Sequence, residues 1–399
     1  MEPVIDLRTA ATEGDEPRAL VIGAGVIGLT SALCLRRAGF AVDVVADRFA
    51  PEVTSVVAGA LWEWPPAVCG YHHDLISLAR SKEWCTVSYS TFRGLARDAS
   101  TGVHWRDSIF YFRNRVEDRP ADLTKMNELR RHVVDFRHDP AIIDEEGVNP
   151  RIGIVDAYSH KAPMVDTDRY LRWLLRQVRR LGCRIEQRRI TGPLVDQVGD
   201  LRRERGAHVV VNCTGLGARD LTDDPMYPLR GALIRVKNDG STMPRIEKAH
   251  CVSHDESQSA QDIVFIVPRG EDRVVLGGLA EPDEWSTDVT LDGYAPIAAM
   301  LARCQEFLPC LAHASLDEAD PLRVGLRPFR DANVRVEIDD AAPIIHNYGH
   351  GGAGVTLSWG CAEEVVVLAR QVVAGGVGRG RQDVGGVGSG SPLVTGDRS

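Results

Sequence analysis

No two of the nine cysteines form a CxxC pair. They fall at 34, 69, 85, 183, 213, 251, 304, 310 and 361, without the clustering that a structural metal needs. Reduced thiols in a cytosolic protein are therefore expected, and no metal site. Long apolar runs are also missing, since none approaches the roughly 18 residues that would cross a bilayer. The first sixteen residues, MEPVIDLRTAATEGDE, carry neither a basic n-region nor an apolar h-region, so 1–16 read as a disordered lead-in and a cytoplasmic location is expected. Positive charge is in deficit, with 47 Lys plus Arg against 56 Asp plus Glu and a net charge of −9. That balance argues against a nucleic-acid or membrane partner held by bulk electrostatics. No internal repeat is visible. The Gly- and Ser-rich stretch 374–399 has nothing to bury and is expected to be disordered. The 399 residues, 44% of them apolar, suffice for two or three domain-sized units with proper cores.

What is present begins with ALVIGAGVIGLT, Ala19 to Thr30. An apolar strand runs into Gly23, Gly25 and Gly28 and then into an apolar helix, the order of a dinucleotide-binding unit. There Gly23 allows the turn, Gly25 admits a pyrophosphate to the backbone, and Gly28 lets helix and strand pack closely. The phosphates sit at the helix N-terminus, where free N–H groups and the positive end of the dipole favour an anion. Gly39 stops the helix and AVDVVA (Ala41 to Ala46) reads as a second strand ending at Asp47. Asp47 lies 19 positions after Gly28, where an acid that binds a ribose hydroxyl belongs. Arg48 suits either a 2′-phosphate or a solvated face. Thr54 and Ser55 stand between phosphate donors and an ordinary connecting loop.

Farther on, His72 to Leu95 has helical spacing, and HWRDSIFYFRNRV (His104 to Val116) alternates as an antiparallel strand would. Asp166 or Thr167 caps DRYLRWLLRQVRRLG, whose outer arginines read as a solvated face. CRIEQRRI and HVVVNCTG read as strands that return the chain to the nucleotide unit, and Leu229 to Gly278 is a β-rich block. In the last block a glycine-rich loop, Gly349 to Gly354, precedes an amphipathic helix reaching Val373. Such a loop is a second backbone N–H cradle. Two cradles three hundred residues apart suggest a dinucleotide held at both ends, and NAD needs only the first.

Together VIGAGVIGLT, ADRF (Ala46 to Phe49), VNCTG (Val211 to Gly215), GLRPFR (Gly325 to Arg330) and HNYGHGGAGVTLSWG (His346 to Gly360) resemble the FAD-dependent D-amino-acid oxidase and D-aspartate oxidase family. The resemblance implies an α/β chain with a discontinuous Rossmann-like FAD-binding domain (17–60, 165–215 and 328–373) and an antiparallel-sheet α+β substrate domain (61–164 and 216–327). It implies that Gly23, Gly25, Val26, Ile27 and Gly28 hold the diphosphate and that Asp47 and Arg48 hold the adenosine ribose. Thr54, Ser55 and Leu61 would line diphosphate and flavin, and Ile190 would meet the adenine. Thr214 and Gly215 complete the cofactor set with Gly352, Gly354, Val355 and Thr356, which would reach the pyrimidine edge.

By the same resemblance Arg327 binds the substrate carboxylate, a task suited to a planar bidentate guanidinium, and the Gly352 carbonyl accepts from the substrate amine. The implied reaction passes hydride from the α-carbon to flavin N5; the imino acid hydrolyses to a 2-oxo acid and ammonia, and dioxygen leaves as hydrogen peroxide. The sequence departs from the family at two catalytic positions, where Gln261 and Phe265 replace tyrosines, and at Ala353, which replaces another and is expected to open space near the flavin. Arg230 and Arg269 are candidates for a second substrate arginine. Cys69, His72 and His73 leave a covalent flavin link open beside ordinary loop roles. A tailoring oxidase or dehydrogenase acting on a modified amine, and a catalytically silent flavin-binding protein, are the competing readings. A small amino-acid-like substrate and O2 are the expected partners, and a homodimer is left open.

Overall fold

A computed structural model describes residues 16–65, 72, 74–252 and 262–375. The expected lead-in and tail lie almost wholly outside these residues, as do Gln261, Cys69 and His73. β1 (Arg18–Ile22) runs parallel to β2 (Ala41–Ala46), with the helix Val26–Arg37 between them. β7 (Val209–Asn212) adds on the other side of β1, and β15 (Ile344–Tyr348) beyond it, both parallel; β6 (Arg184–Gln187) adds beside β2. The antiparallel β14 (Arg335–Ile338) closes the edge, giving the order β14-β15-β7-β1-β2-β6. Strands buried on both faces read as unbroken apolar runs, and alternate residues of β1 serve opposite layers. Ala19 and Val21 meet Leu29, Leu33 and the C-terminal helix Gly354–Val373. Leu20 and Ile22 meet Leu194, Val198 and Leu201 of the helix Leu194–Arg205. That last helix is absent from the sequence reading, and CRIEQRRI is strand only to Gln187, which leaves Ile190 in the following loop.

The second sheet holds β3 (Val103–Phe112), β4 (Arg137–His138), β5 (Asp156–Val165), β8 (Met226–Lys237), β9 (Ala249–Val252), β10 (Val264–Arg269), β11 (Arg273–Gly277), β12 (Glu281–Pro282) and β13 (Leu322–Arg330). Its order is β12-β8-β11-β10-β9-β3-β5-β4, with β13 on the other edge of β8. All its pairs are antiparallel except β3 with β9, which is parallel, so the antiparallel expectation needs that one correction. The expected switch back to the nucleotide unit at residue 328 falls inside β13, which stays paired with β8 through Arg330. One face of this sheet is covered by Ile297, Met300, Cys304 and Phe307 of the helix Ala295–Phe307.

The expected helix from His72 begins at Leu75, capped by Asp74, whose carboxylate accepts from the Ser77 N–H at 2.8 Å. It ends at Leu95 and packs on the C-terminal helix, which is long and apolar enough to cross a bilayer but buries 61% of its most apolar window inside the protein. Ser88 Oγ accepts from the Trp359 and Gly360 N–H groups at 3.2 and 3.3 Å. A Cβ on Gly360 would stand 2.2 Å from the Trp84 Cα. Gly360→Ala should therefore push these two helices apart, costing about 1–3 kcal/mol and lowering the melting temperature by several degrees in a thermal scan. An unchanged melting temperature would show that the contact yields freely.

Candidate active site

At the end of β1 three backbone segments converge. Gly23 has φ +112°, and a Cβ on it would lie 2.4 Å from the Cys213 carbonyl oxygen; one on Gly28 would lie 2.0 Å from the Gly23 carbonyl oxygen. Both positions exclude any side chain, as the turn and the helix–strand contact require. Gly25 is the N-cap of the helix and supplies no side-chain cap, so the first-turn N–H groups face outward. One of them, on Val26, donates to Ser55 Oγ at 2.9 Å.

These N–H groups open into a cavity of about 840 Å³, at the upper end of the roughly 300–1,000 Å³ typical of small-molecule sites. Gly23, Gly25, Val26 and Ile27 line it beneath the helix, with Thr54, Ser55 and Leu61 beside them and Thr214 and Gly215 at the end of β7. Asp47, Arg48 and Ile190 line its far end, where the Asp47 and Arg48 side chains are exposed and 3.8 Å apart. Gly352, Gly354 and Val355 line the opposite rim. Gly28 is not on the wall, since it serves the helix–strand contact. Thr356 is buried within the C-terminal helix, one residue beyond Val355 on the rim. Ala353 is likewise fully buried and off the wall, so its small size opens no space there.

The floor comes from the second sheet. Phe265 of β10 lies so close to Gly59 that a Cβ there would sit 2.6 Å from the ring. On β13, Arg327 lays its guanidinium flat against Gly231, where a Cβ would be 2.5 Å from the guanidinium carbon and both terminal nitrogens. Among the described residues its one hydrogen bond is donated to the Leu279 carbonyl at 3.1 Å. Among the described residues no carboxylate pairs with it. Burial pulls its pKa down to about 10, so at neutral pH it is still a cation, and among the described residues it has no counter-ion.

The other two arginine candidates are committed elsewhere. Arg230 is 3% exposed and off the cavity wall; it donates to Glu281 at 2.8 Å and to the Tyr294 hydroxyl at 2.8 Å. Arg269 donates to Thr167 Oγ1 at 2.6 Å and to the Ala58 and Gly59 carbonyls at 2.8 and 2.9 Å, so it holds a loop that lines the cavity and is itself off the wall. His72 is bonded to Ser81 Oγ at 2.8 Å and is not on the wall. Two wall residues escaped the sequence reading. His350 is 2% exposed with an unpartnered Nε2, and burial depresses its pKa to about 3, so it is neutral. Glu63 is a buried acid between two tryptophans, and that charge inside an aromatic run was the signal.

A nucleotide cradle and a buried cation that no carboxylate pairs with among the described residues share one cavity, carried by two different sheets. Residues 18–368 match the DAO family model, described as FAD dependent oxidoreductase, and the chain belongs to that family. It is 37% identical over 356 residues to a D-amino-acid oxidase of Rubrobacter xylanophilus, covering 88% of this chain and 95% of that protein. With a D-amino-acid oxidase of Streptomyces coelicolor it shares 35% over 366 residues, 90% of this chain and 99% of the other. Among solved structures, glycine oxidase from Bacillus cereus superposes with TM-score 0.68 at 17% identity over 90% of this chain and 98% of its own, a likeness of fold.

The residues present fit FAD. Two positions exclude a Cβ at the phosphate turn, a side-chain-free helix N-terminus faces the cavity, and an acid closes the ribose end. Asp47→Ala should raise the FAD dissociation constant about tenfold, the loss of one charge-assisted hydrogen bond, read from the fluorescence of released flavin. An unchanged constant would remove Asp47 from the ribose.

Proposed function

We propose that this chain catalyses the oxidative deamination of a D-amino acid. The observation that carries the reading is Arg327, a buried cation with no counter-ion among the described residues, on the wall of the cavity that the nucleotide cradle also lines. FAD, when bound, supplies the acceptor for the hydride that leaves the substrate α-carbon.

The chain's own residues then have a limited task. Arg327 holds the α-carboxylate through paired N–H donors, its plane set by the contact with Gly231 and the bond to Leu279, so the α-carbon is fixed before reaction. Gly352, exposed on the rim without a side chain, offers its backbone to the substrate amine. Phe265 supplies an apolar floor and no hydroxyl, so the carboxylate depends on Arg327 to an unusual degree. No side chain is required to remove a proton from carbon, because the neutral amine assists hydride departure, and the imino product hydrolyses in water. Dioxygen is the proposed second substrate and hydrogen peroxide the second product. The scattered cysteines, with no CxxC pair among them, support a reducing, cytoplasmic setting.

Purified protein should be yellow, and anaerobic D-amino acids should bleach it while their L-enantiomers do not. Arg327→Ala should lower kcat/KM by roughly 30- to 1,000-fold, in line with about 2–4 kcal/mol for removing one partner of a buried charge pair. A panel in which no D-amino acid bleaches the flavin would overturn the reading. Full activity in the Arg327 variant would remove the anchor.

A further inference from the structure

The segment after Leu61 crosses from the nucleotide sheet to the second sheet, and its two tryptophans fasten it. The Trp62 N–H donates to the Pro163 carbonyl at 3.1 Å and its indole N–H to the Cys85 carbonyl at 3.0 Å. The Trp64 indole donates to Glu128 at 3.4 Å and stacks on His132 with ring centroids 4.6 Å apart. Between them Glu63 is 8% exposed and lines the cavity. Among the described residues no side chain forms a hydrogen bond or ion pair with its carboxyl. Burial pushes that carboxyl above the usual range, and Lys125, beyond ion-pair distance, is the one charge acting against this. The other acids on the wall, Asp47, Glu52 and Asp220, are exposed. A buried acid facing an interior cavity with no partner is costly unless something in the cavity completes it.

Its position relative to Arg327 indicates what that is. The floor crosses β13, β8, β11, β10 and β9 in that order. Arg327 lies on β13. At the other end, Cys251 on β9 is paired with Phe265, and β9 pairs with β3, whose partner β5 holds the segment around Glu63 through the Leu61–Met164 bridge and the Trp62 N–H to the Pro163 carbonyl, which places Glu63 near that end. Arg327 is perturbed by burial alone, so the guanidinium and the Glu63 carboxyl share a cavity without pairing. Four inter-strand steps of about 4.8 Å each separate the strands concerned. A substrate anchored by its carboxylate at Arg327 and passing over Phe265 must carry a long side chain to reach Glu63.

Resting on the D-amino-acid reading above, we propose that Glu63 is a specificity-determining residue that selects D-amino acids whose long side chains end in an ammonium or guanidinium group. The cation supplies the missing partner of the acid, while a neutral chain of equal length leaves the carboxyl unpaired in a dry site.

The test compares D-lysine with D-norleucine, which lacks only the terminal ammonium, using the FAD-loaded full chain. The kcat/KM ratio should favour D-lysine by at least about tenfold, and Glu63→Gln should reduce that ratio by at least about tenfold. A second measurement needs no turnover: 6-aminohexanoate should bind more tightly than hexanoate by flavin absorbance perturbation, and Glu63→Gln should remove the difference. Equal handling of D-lysine and D-norleucine, or a ratio unchanged in the variant, overturns the role of Glu63 and leaves the oxidase reading standing. Failure of every D-amino acid to bleach the flavin, while 6-aminohexanoate still binds in preference to hexanoate, overturns the oxidase reading and retains Glu63 as a cation site.

Discussion

The rest of the molecule depends on a contact that no side chain makes. At the carboxyl end of β1, the backbones of Gly23, Gly28 and Cys213 lie closer than any Cβ would permit. Because the turn is this tight, the helix Val26–Arg37 begins directly above the strand end, and its N-terminus, capped by no side chain of its own N-cap residue Gly25, is aimed into the cavity. Cys213 belongs to the end of β7, nearly two hundred residues later in the chain. One backbone contact therefore closes the cofactor cradle and joins the middle segment to the N-terminal one, and the parallel register of β1 with β7 continues from it.

A second set of contacts sets the loop 54–60 between the two sheets. Arg269 holds the Ala58 and Gly59 carbonyls, Thr167 Oγ1 donates to the Val56 carbonyl at 2.8 Å, and Arg323 donates to the same carbonyl at 3.2 Å while pairing with Asp168 at 2.9 Å. Guanidinium groups act here as clamps on exposed carbonyls of irregular backbone, which would otherwise be buried without donors. The loop carries Ser55 to the helix N-terminus and Gly59 to Phe265, so these clamps fix the spacing between the two walls of the cavity. Three arginines in the second sheet thus have three different fates. Arg230 is paired with an acid, Arg269 is saturated by carbonyl and hydroxyl acceptors, and Arg327 is left with capacity for a ligand.

That difference explains what could be read from the sequence. The β1–helix–β2 unit, the Asp47 position and both glycine cradles were legible because glycine requirements are local and belong to the backbone. Arg327 was legible through the residues around it. The status of Arg230 and Arg269 was not, since it depends on acceptors brought from residues far away in the chain. Whether Thr356 and Ala353 face cavity or core was not legible for a related reason: near the start of a helix, a rotation of one residue exchanges the two, and only packing against neighbouring helices decides it. The boundary at residue 328 falls within β13 because the pattern of GLRPFR gives no mark at Arg330 where pairing with β8 stops.

Glu63 shows the same limit from the other direction. An acid between two tryptophans reads as an anomaly in a buried run, yet the sequence alone does not say which way it faces. The indoles settle this, because both are held by hydrogen bonds on the protein side and leave the intervening side chain to the cavity. Had Glu63 reached Arg327, the two would form an ordinary buried ion pair, and the cavity would offer neither charge to a ligand. Held at separate ends of the floor, each keeps an unmet electrostatic demand, and together they describe a ligand with a carboxylate at one end and a cation at the other.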